Sequence, residues 1–193
     1  MTDSSILLTP RQQATLLALA RHAIRERVRG TVGVSTLPDD PVFQQPGAPF
    51  VTLTKGGALR GCIGFIQATQ PLAEAVRHCA VAAAISDPRF PPVRPEELPL
   101  LRVEISLLSP LRRVENLDAI RVGVHGLLVS QGGRRGLLLP QVATEYGWDR
   151  DAFLSHTCLK AGLPEDAWRR GAEIHAFTVL LMSDGRPLEE PTR

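Results

Sequence analysis

The chain has 193 residues, of which 44% are hydrophobic, and a formal net charge of +2 at pH 7. The small charge and the aromatic content of 5% argue against nucleic-acid binding, which relies on basic patches and stacking platforms. No apolar run approaches the roughly 20 residues that span a bilayer, and the N-terminus has no signal-peptide pattern, so we expect a cytoplasmic protein without a membrane role.

The first predicted element is a helix that begins at Thr9 and Pro10. Threonine is a good N-cap, proline suits the first helical position, and leucines and alanines then recur at helical spacing as far as Gly30. The segment Leu37–Pro49 contains four prolines, so we expect no regular structure there.

The next elements are predicted from glycine turns and a proline stop. Two β-rich runs, 50–54 and 58–65, flank the pair Gly56-Gly57 and predict a β-hairpin. A helix over about 70–86 follows and ends at Asp87, because the residue before a proline is disfavoured in the helical region. A proline-rich loop, DPRFPPVRPEELP, leads into a strand over 102–108.

The C-terminal half repeats the same kinds of signal. We predict a second glycine hairpin, two helices, one final strand and a frayed tail, in the ranges 126–139, 140–147, 150–161, 173–182 and 184–193. Helices and hairpins are interspersed, which is typical of an α+β fold with a mainly antiparallel sheet. We expect a single domain over 1–193, with a larger lobe carrying 50–110 and a smaller lobe within about 120–165.

The stretch LRGCIGF, residues 59–65, holds the strongest candidate for chemistry. Strand residues alternate between faces, so Leu59 is expected on the core face, and Arg60 and Cys62 together on the opposite face, about 7 Å apart. A guanidinium at that range favours a thiolate over a thiol. Cys62 is therefore a candidate nucleophile or redox-active thiol, and Arg60 its activator and an anion binder.

Both glycines of this stretch are candidates for contact with a substrate. Gly64 lacks a side chain and is expected to leave a gap beside Cys62, and Gly61 joins Arg60 as a candidate substrate-contact residue. A structural interpretation remains open, in which Cys62 is a small residue packed under a covering loop and Arg60 is paired with a carboxylate.

Two further side chains could complete a site. Glu104 lies on the polar face of the strand 102–108 and could orient Arg60 if the two strands are neighbours. His125 precedes a glycine at the head of the second hairpin and could act as an acid or base, although a solvated or capping role is the alternative.

The other cysteines and the histidines give no further site. Cys79 and Cys158 fall on apolar helical stripes, which predicts packing roles. With no CxxC pair and no HExxH motif, the sequence predicts no metal site.

Several blocks of the chain closely resemble the AMME chromosomal region gene 1 domain family, known in prokaryotes as AmmeMemoRadiSam system protein A. The most specific blocks are FVTLTKGGALRGCIG, AISDPRFPPVRPEELP, VEISLLSP and GGRRGLLLPQVATEYGWD, and the resemblance covers roughly Leu16 to Met182. It implies a two-lobed α+β fold with the LRGCIG signature in the larger lobe, beside a cleft.

The resemblance implies little about the reaction, because no agreed activity or cofactor comes with it. It does imply an association with a Memo-like protein and a radical-SAM protein, although this chain has no CxxxCxxC motif for a cluster of its own. Two functions follow as hypotheses. One is an enzyme-like cleft with Cys62, His125 and Glu104 as catalytic residues. The other is a non-enzymatic module that binds a protein of the same system.

Overall fold

The computed structural model describes residues 7–31 and 37–188. They form two compact units. Of the described residues, 7–31, 37–108 and 180–188 form the large unit, and 109–179 form the small unit. Helices and strands are mixed throughout, and neighbouring strands pair antiparallel within both units, so the predicted α+β class is confirmed. Of the predicted frayed tail, residues 189–193 lie outside the described residues, whereas 184–187 belong to the last strand.

The elements follow one another along the chain as helices, hairpins and connecting turns. The α-helices of the described chain are α1 Pro10–Arg29, α2 Pro41–Gln44, α3 Leu72–Ile85, α4 Pro140–Glu145 and α5 Arg150–Lys160. The β-strands are β1 Ala48–Lys55, β2 Ala58–Gly64, β3 Leu101–Leu108, β4 Arg112–Arg113, β5 Gly126–Gln131, β6 Arg134–Leu138, β7 Glu173–Phe177 and β8 Val179–Pro187. None of the described helices is long and apolar enough to cross a membrane.

Helix α1 begins and ends where the sequence predicts. Thr9 and Gln12 form a reciprocal capping box, Pro10 occupies the first turn, and Gly30 ends the helix in the left-handed conformation with φ 68°. The proline-rich connection differs from the prediction of no regular structure. It contains the single turn α2, because the Asp40 side chain caps that turn by accepting a hydrogen bond from the Val42 amide.

The large unit is built on a four-stranded sheet with the order β2-β1-β3-β8. One face of this sheet is apolar and packs with α1 and α3 in a single core, to which the strands contribute Val51, Leu53, Val103, Ile105 and Leu107. The opposite face carries alternating residues of the same strands, among them Thr52 and Glu104. Because β2 is an edge strand, its outer backbone groups have no strand partner.

The small unit has its own four-stranded sheet, with the order β4-β7-β5-β6, and its own core around Phe153 and Leu154 of α5. The prediction of one continuous strand over 173–182 is wrong, because the segment is interrupted at Thr178. Strand β7 before it belongs to this sheet, and β8 after it belongs to the sheet of the large unit. The backbone amide of Thr178 donates to the Ser109 hydroxyl, and its carbonyl accepts from the Ser109 amide, both at 2.9 Å. Both polar groups of Thr178 are therefore taken by Ser109, and the sheet pairing is interrupted there.

In each unit a glycine in the second hairpin strand lets a helix approach the sheet closely. A Cβ at Gly61 would lie 2.1 Å from the Ala83 carbonyl oxygen of α3, and a Cβ at Gly136 would lie 2.3 Å from the Ala161 amide nitrogen after α5. Neither neighbour is a flexible side chain that could move aside. These contacts therefore fix how closely α3 and the end of α5 lie to their sheets.

We predict that Gly61→Ala destabilises the protein by about 1 to 3 kcal/mol, because the added methyl group meets backbone rather than a movable side chain. Ala58→Ser, on the exposed start of the same strand, should change the free energy of unfolding by less than about 0.5 kcal/mol. Denaturant unfolding of the two variants measures both values. Equal stability of Gly61→Ala and the parent would show that α3 does not depend on this approach.

Candidate functional site

Cys62 lies on the edge strand β2, directly opposite Thr52 of β1. Its side chain is half-buried, and its Sγ accepts a hydrogen bond from the Thr52 hydroxyl at 3.3 Å. Directly opposed residues share a face of the sheet, so Cys62 stands on the face away from α3, together with Thr52. The Thr52 hydroxyl is therefore the hydrogen-bond donor to the Cys62 sulfur.

The backbone of Cys62 is bound by side chains instead of by a neighbouring strand. Its amide donates to Asp87 Oδ2 at 2.8 Å, and its carbonyl accepts from Arg89 Nη2 at 3.3 Å. Both groups point away from β1, which makes Cys62 and Thr52 a non-hydrogen-bonded pair, the kind whose side chains approach most closely. Asp87 and Arg89 thus take the place of a further strand at this position.

Asp87 is the buried charge at the centre of this arrangement, with only 4% of the residue exposed. Arg89 donates to it through Nε at 2.9 Å, through Nη2 at 2.7 Å and through its backbone amide at 3.1 Å. The hydrogen-bonded guanidinium holds the pKa of the Asp87 carboxyl well below its usual range, against the opposing effect of burial. The ion pair is therefore present throughout the neutral range.

Arg60 occupies a β-bulge and is bound by a different carboxylate. The pairing shifts between Leu53↔Gly61 and Thr54↔Leu59, so Arg60 has no residue opposite it. Its guanidinium binds Glu97 with two hydrogen bonds, Nε to Oε1 at 3.1 Å and Nη2 to Oε2 at 3.0 Å.

Glu97 also receives a second cation, because Lys55 Nζ donates to its Oε1 at 2.9 Å. The Arg60 hydrogen bonds, followed by those of Lys55 and the Arg94 amide, lower the pKa of Glu97 to about 2. Burial opposes this shift. Glu97 is therefore a carboxylate that the fold keeps ionised at neutral pH.

The Phe90 ring lies beside both arginines of the region. The guanidinium carbon of Arg89 is 5.5 Å from the ring centroid, and that of Arg60 is 6.0 Å away. These distances are within the range of cation–π attraction. Arg60 Nη1 is buried and makes no hydrogen bond with any described residue. The contacts of Phe90 link the Asp87–Arg89 and Glu97–Arg60 ion pairs.

The structure corrects the predicted partner of Arg60. Glu104 was expected to orient Arg60 if their strands were neighbours, but β1 lies between β2 and β3. Glu104 is opposite Thr52 on β3, and Glu97 holds Arg60 instead. Glu104 therefore shares a face and a row with Cys62, with Thr52 between them, and the predicted pairing with Arg60 is wrong.

The gap predicted at Gly64 is also absent, and Gly61 offers no space for a ligand. The Phe50 ring fills the position at Gly64, where a Cβ would lie 2.2 Å from the ring, and the Ala83 carbonyl fills that at Gly61. Leu59, expected in the core, is 43% exposed. The bulge at Arg60 interrupts the alternation of side chains between the two faces and places Leu59 opposite Thr54. The prediction of faces from strict alternation is therefore wrong for Leu59.

His125 lies in the small unit, whereas the contacts of Cys62 described above all lie in the large unit. Its Nδ1 accepts a hydrogen bond from the Arg121 amide at 3.1 Å. This is the local capping role that the sequence left open as the alternative to acid–base chemistry.

The other two cysteines are buried, as the sequence predicts. Burial raises the pKa of Cys79 to about 12, with a smaller effect from Cys62, and burial also raises the pKa of Cys158. Both are held as neutral thiols at neutral pH. Cys62 is the cysteine with a partly exposed side chain.

Sequence reasoning missed the residues that contact Cys62. Asp87 was interpreted as the end of a helix, Arg89 as part of a rigid loop, and Thr52 as an ordinary strand residue. A signal was available in the charged pair that flanks Pro88, because charged side chains held in a rigid loop next to a helix end are positioned to contact a neighbouring element.

No group of three or more His, Cys, Asp and Glu side chains within 7–31 and 37–188 is arranged to hold a metal ion. Groups beside Cys62 that could contact a ligand include its own thiol, the Thr52 hydroxyl and the Arg89 guanidinium. The Arg89 side chain is 52% exposed. These groups suit chemistry at sulfur beside a fixed positive charge.

The fold and this site define a class of α+β protein with two compact units, in which a cysteine on an edge strand is bound through its backbone by a buried aspartate and an arginine. The sequence profile of the AMMECR1 family matches residues 17–182, and the chain belongs to that family. The resemblance drawn from the sequence blocks is thereby confirmed.

Archaeal proteins and a solved structure are similar to this chain. A protein of Methanothermobacter thermautotrophicus is 52% identical over 162 residues, which cover 80% of this chain and 84% of that protein. A protein of Methanosarcina mazei is 41% identical over 192 residues, covering 94% and 96% of the two chains. The crystal structure of uncharacterized protein PH0010 from Pyrococcus horikoshii has a TM-score of 0.84 at 40% identity, covering 92% of this chain and 93% of that one.

We predict that Glu97 stabilises the fold in a pH-dependent way. Its pKa is about 2 in the folded protein against an ordinary value of 4.5, so its contribution is fully present above about pH 4.5 and is lost as the pH falls towards 2. Glu97→Gln should therefore lower the free energy of unfolding at pH 7 by on the order of 2 kcal/mol, and the difference from the parent should shrink below pH 4.5.

Denaturant unfolding from pH 7 to pH 3 measures this difference. Glu96→Gln, at the exposed neighbouring position, is the matched control and should differ little from the parent at any pH. A stability difference for Glu97→Gln that is the same at pH 7 and pH 3 would contradict the assignment.

Proposed function

We propose that the protein is an enzyme of the thiol-nucleophile type, with Cys62 as the attacking residue and a small molecule with an electrophilic carbonyl group as its substrate. The observation that carries this proposal is the hydrogen bond from the Thr52 hydroxyl to Cys62 Sγ, on a residue whose backbone is fixed by Asp87 and Arg89. A half-buried cysteine with a donor on its sulfur and a rigid backbone is suited to attack in a defined direction.

The proposed step is addition of the thiol to the carbonyl group. The Sγ–H bond breaks, a bond forms between Sγ and the carbonyl carbon, and the electron pair of the carbonyl π bond moves to its oxygen, which takes up the proton. Thr52 assists because its hydroxyl stabilises the negative charge on sulfur as the proton leaves. No further reactant is needed for this addition.

Arg89 supplies the positive charge in this proposal, and Arg60 does not. Arg89 contacts both Cys62 and Asp87, and its Nη1 makes no hydrogen bond with any described residue, so it can bind an oxygen that becomes negative. Asp87 fixes the plane of the guanidinium through two of its nitrogens. Arg60 forms an ion pair with Glu97 and has a structural role beside the site.

We predict that iodoacetamide at pH 7 alkylates Cys62 of the native protein well before Cys79 and Cys158, whose burial blocks the reagent. Thr52→Val should slow alkylation of Cys62 about fivefold, the rate equivalent of a hydrogen bond of about 1 kcal/mol. Thr54→Val, on the same strand and face but paired with Leu59, is the matched control and should react at the parental rate. Peptide mapping by mass spectrometry follows each cysteine separately.

We further predict that Arg89→Gln slows this alkylation about threefold at low salt, whereas Arg60→Gln has little effect. The reason is that Arg89 donates to the Cys62 carbonyl oxygen, whereas Arg60 is bound by Glu97. The effect is small because the half-exposed Arg89 guanidinium is partly screened by solvent. Increasing the salt concentration should reduce the effect of Arg89→Gln. Circular dichroism and the unreactive Cys79 report whether the fold is intact. A larger effect of Arg60→Gln would reverse the two assignments.

The non-enzymatic alternative is a module that binds a Memo-like or radical-SAM protein. The labelling experiment separates the two proposals. Alkylation of Cys62 that is no faster than that of Cys79 on the folded protein would make Cys62 a packing residue, and the binding module would then be the better proposal. Co-purification of such a partner from native extract would support that alternative directly.

A further inference from the structure

Three aromatic rings form a stack in the small unit. The rings of Tyr146 and Trp148 lie 4.9 Å apart between centroids at an interplanar angle of 15°, and those of Trp148 and His156 lie 3.8 Å apart at 7°. None of the residues proposed for thiol chemistry belongs to this unit. The stack is therefore not explained by the site at Cys62.

The stack is held rigidly and is open to solvent at Tyr146, which is 69% exposed. The turn that presents it is fixed by backbone hydrogen bonds from the Tyr146 amide to the Val142 carbonyl at 3.2 Å and from the Trp148 amide to the Ala143 carbonyl at 2.9 Å. The core of the unit is filled by other side chains, among them Phe153. Tyr146 thus presents a large ring to solvent and is not part of the hydrophobic core of the unit.

The second tryptophan contacts the same stretch of α5. The indole nitrogen of Trp168 donates to the Ser155 hydroxyl at 3.2 Å, next to His156, and the guanidinium carbon of Arg169 lies 4.4 Å from the centroid of the Trp168 ring. The chain has one tyrosine and two tryptophans, and all of them lie within 146–168. Tyrosine and tryptophan are the residues most enriched at the centres of protein interfaces.

The charges next to the stack favour a cationic partner. Glu145 precedes Tyr146, is exposed, and makes no ion pair with any described residue. The nearby cation Arg150 is neutralised by Asp118 and Asp151. The exposed cation Lys160 lies one helical turn after His156, at the other end of the stack from Tyr146. Next to Tyr146 itself, the charge in the chain is negative.

We propose that the exposed ring of Tyr146, together with the Glu145 carboxylate, is a docking site for an arginine side chain of a partner protein. A guanidinium can stack on the ring face by cation–π attraction and form an ion pair with the carboxylate. Arg169 over Trp168 is an example of this geometry within the same unit. A single-stranded nucleic acid could also stack on the ring, but the charge next to Tyr146 in the chain is the Glu145 carboxylate, which repels phosphate groups.

The test uses the full-length chain labelled with ¹⁵N and an N-acetylated, C-amidated tetra-arginine peptide as the probe. The two indole N–H signals are assigned with Trp148→Phe, and the peptide should shift the signal of Trp148 and not that of Trp168. Tyr146→Leu, which removes the ring but keeps an apolar side chain, should weaken binding about threefold or more, whereas Tyr146→Phe should bind as the parent does.

The charge is tested by Glu145→Gln, which should weaken binding about twofold or more. Glu165→Gln, at another exposed carboxylate of the small unit, is the matched control and should have no effect. Equal binding by Tyr146→Leu and the parent, a shift confined to Trp168, or tighter binding of an oligothymidylate than of the peptide at the same salt concentration would each overturn the proposal.

Discussion

The buried carboxylate of Asp87 is the interaction on which the geometry around Cys62 depends. A charge that is removed from water must be paired and fully hydrogen-bonded, and Asp87 receives the Cys62 amide and three donors of Arg89. Those partners come from an edge strand and from the loop that follows α3. The need to satisfy one carboxylate therefore fixes the end of a helix, the path of a loop and the backbone of the candidate nucleophile relative to one another.

The close approach of α3 to β2 also fixes the position of Cys62, through the face of the strand opposite the cysteine side chain. Gly61 allows the Ala83 carbonyl to lie where a side chain would otherwise be, so α3 ends near the strand and the loop after it reaches the outer edge of Cys62. The glycine on one face and the cysteine on the other are thus parts of one arrangement. The LRGCIGF stretch combines a packing requirement at Gly61 with a chemical candidate at Cys62.

Because β2 is an edge strand, the side chains of Asp87 and Arg89 also protect part of its backbone from pairing with another strand. An unpaired strand edge can recruit another strand, and proteins commonly block such edges with charged side chains or bulges. At Cys62 both outward backbone groups are occupied, and at Arg60 the strand is bulged. The backbone of the edge is therefore blocked at Cys62, whereas its side chain stays partly exposed.

The sequence by itself determined the parts of this protein that depend on near neighbours. The N-cap at Thr9, the two glycine hairpins, the ends of α3 and α5 and the burial of Cys79 and Cys158 follow from turns, caps and apolar periodicity within a few residues. The α+β class follows from the order of these elements. The sequence also pointed to Cys62, because the cysteine in LRGCIGF does not lie on an apolar helical stripe, as Cys79 and Cys158 do.

Only the tertiary structure decided what surrounds Cys62. Asp87 and Arg89 are 25 and 27 residues away from it in the chain, and Glu97 is 37 residues from Arg60. The bulge at Arg60 and the filling of the Gly64 position by Phe50 depend on pairing with β1. Alternation along one strand cannot predict these features, because strand register, bulges and the burial of a charge are set by packing between elements that are distant in sequence.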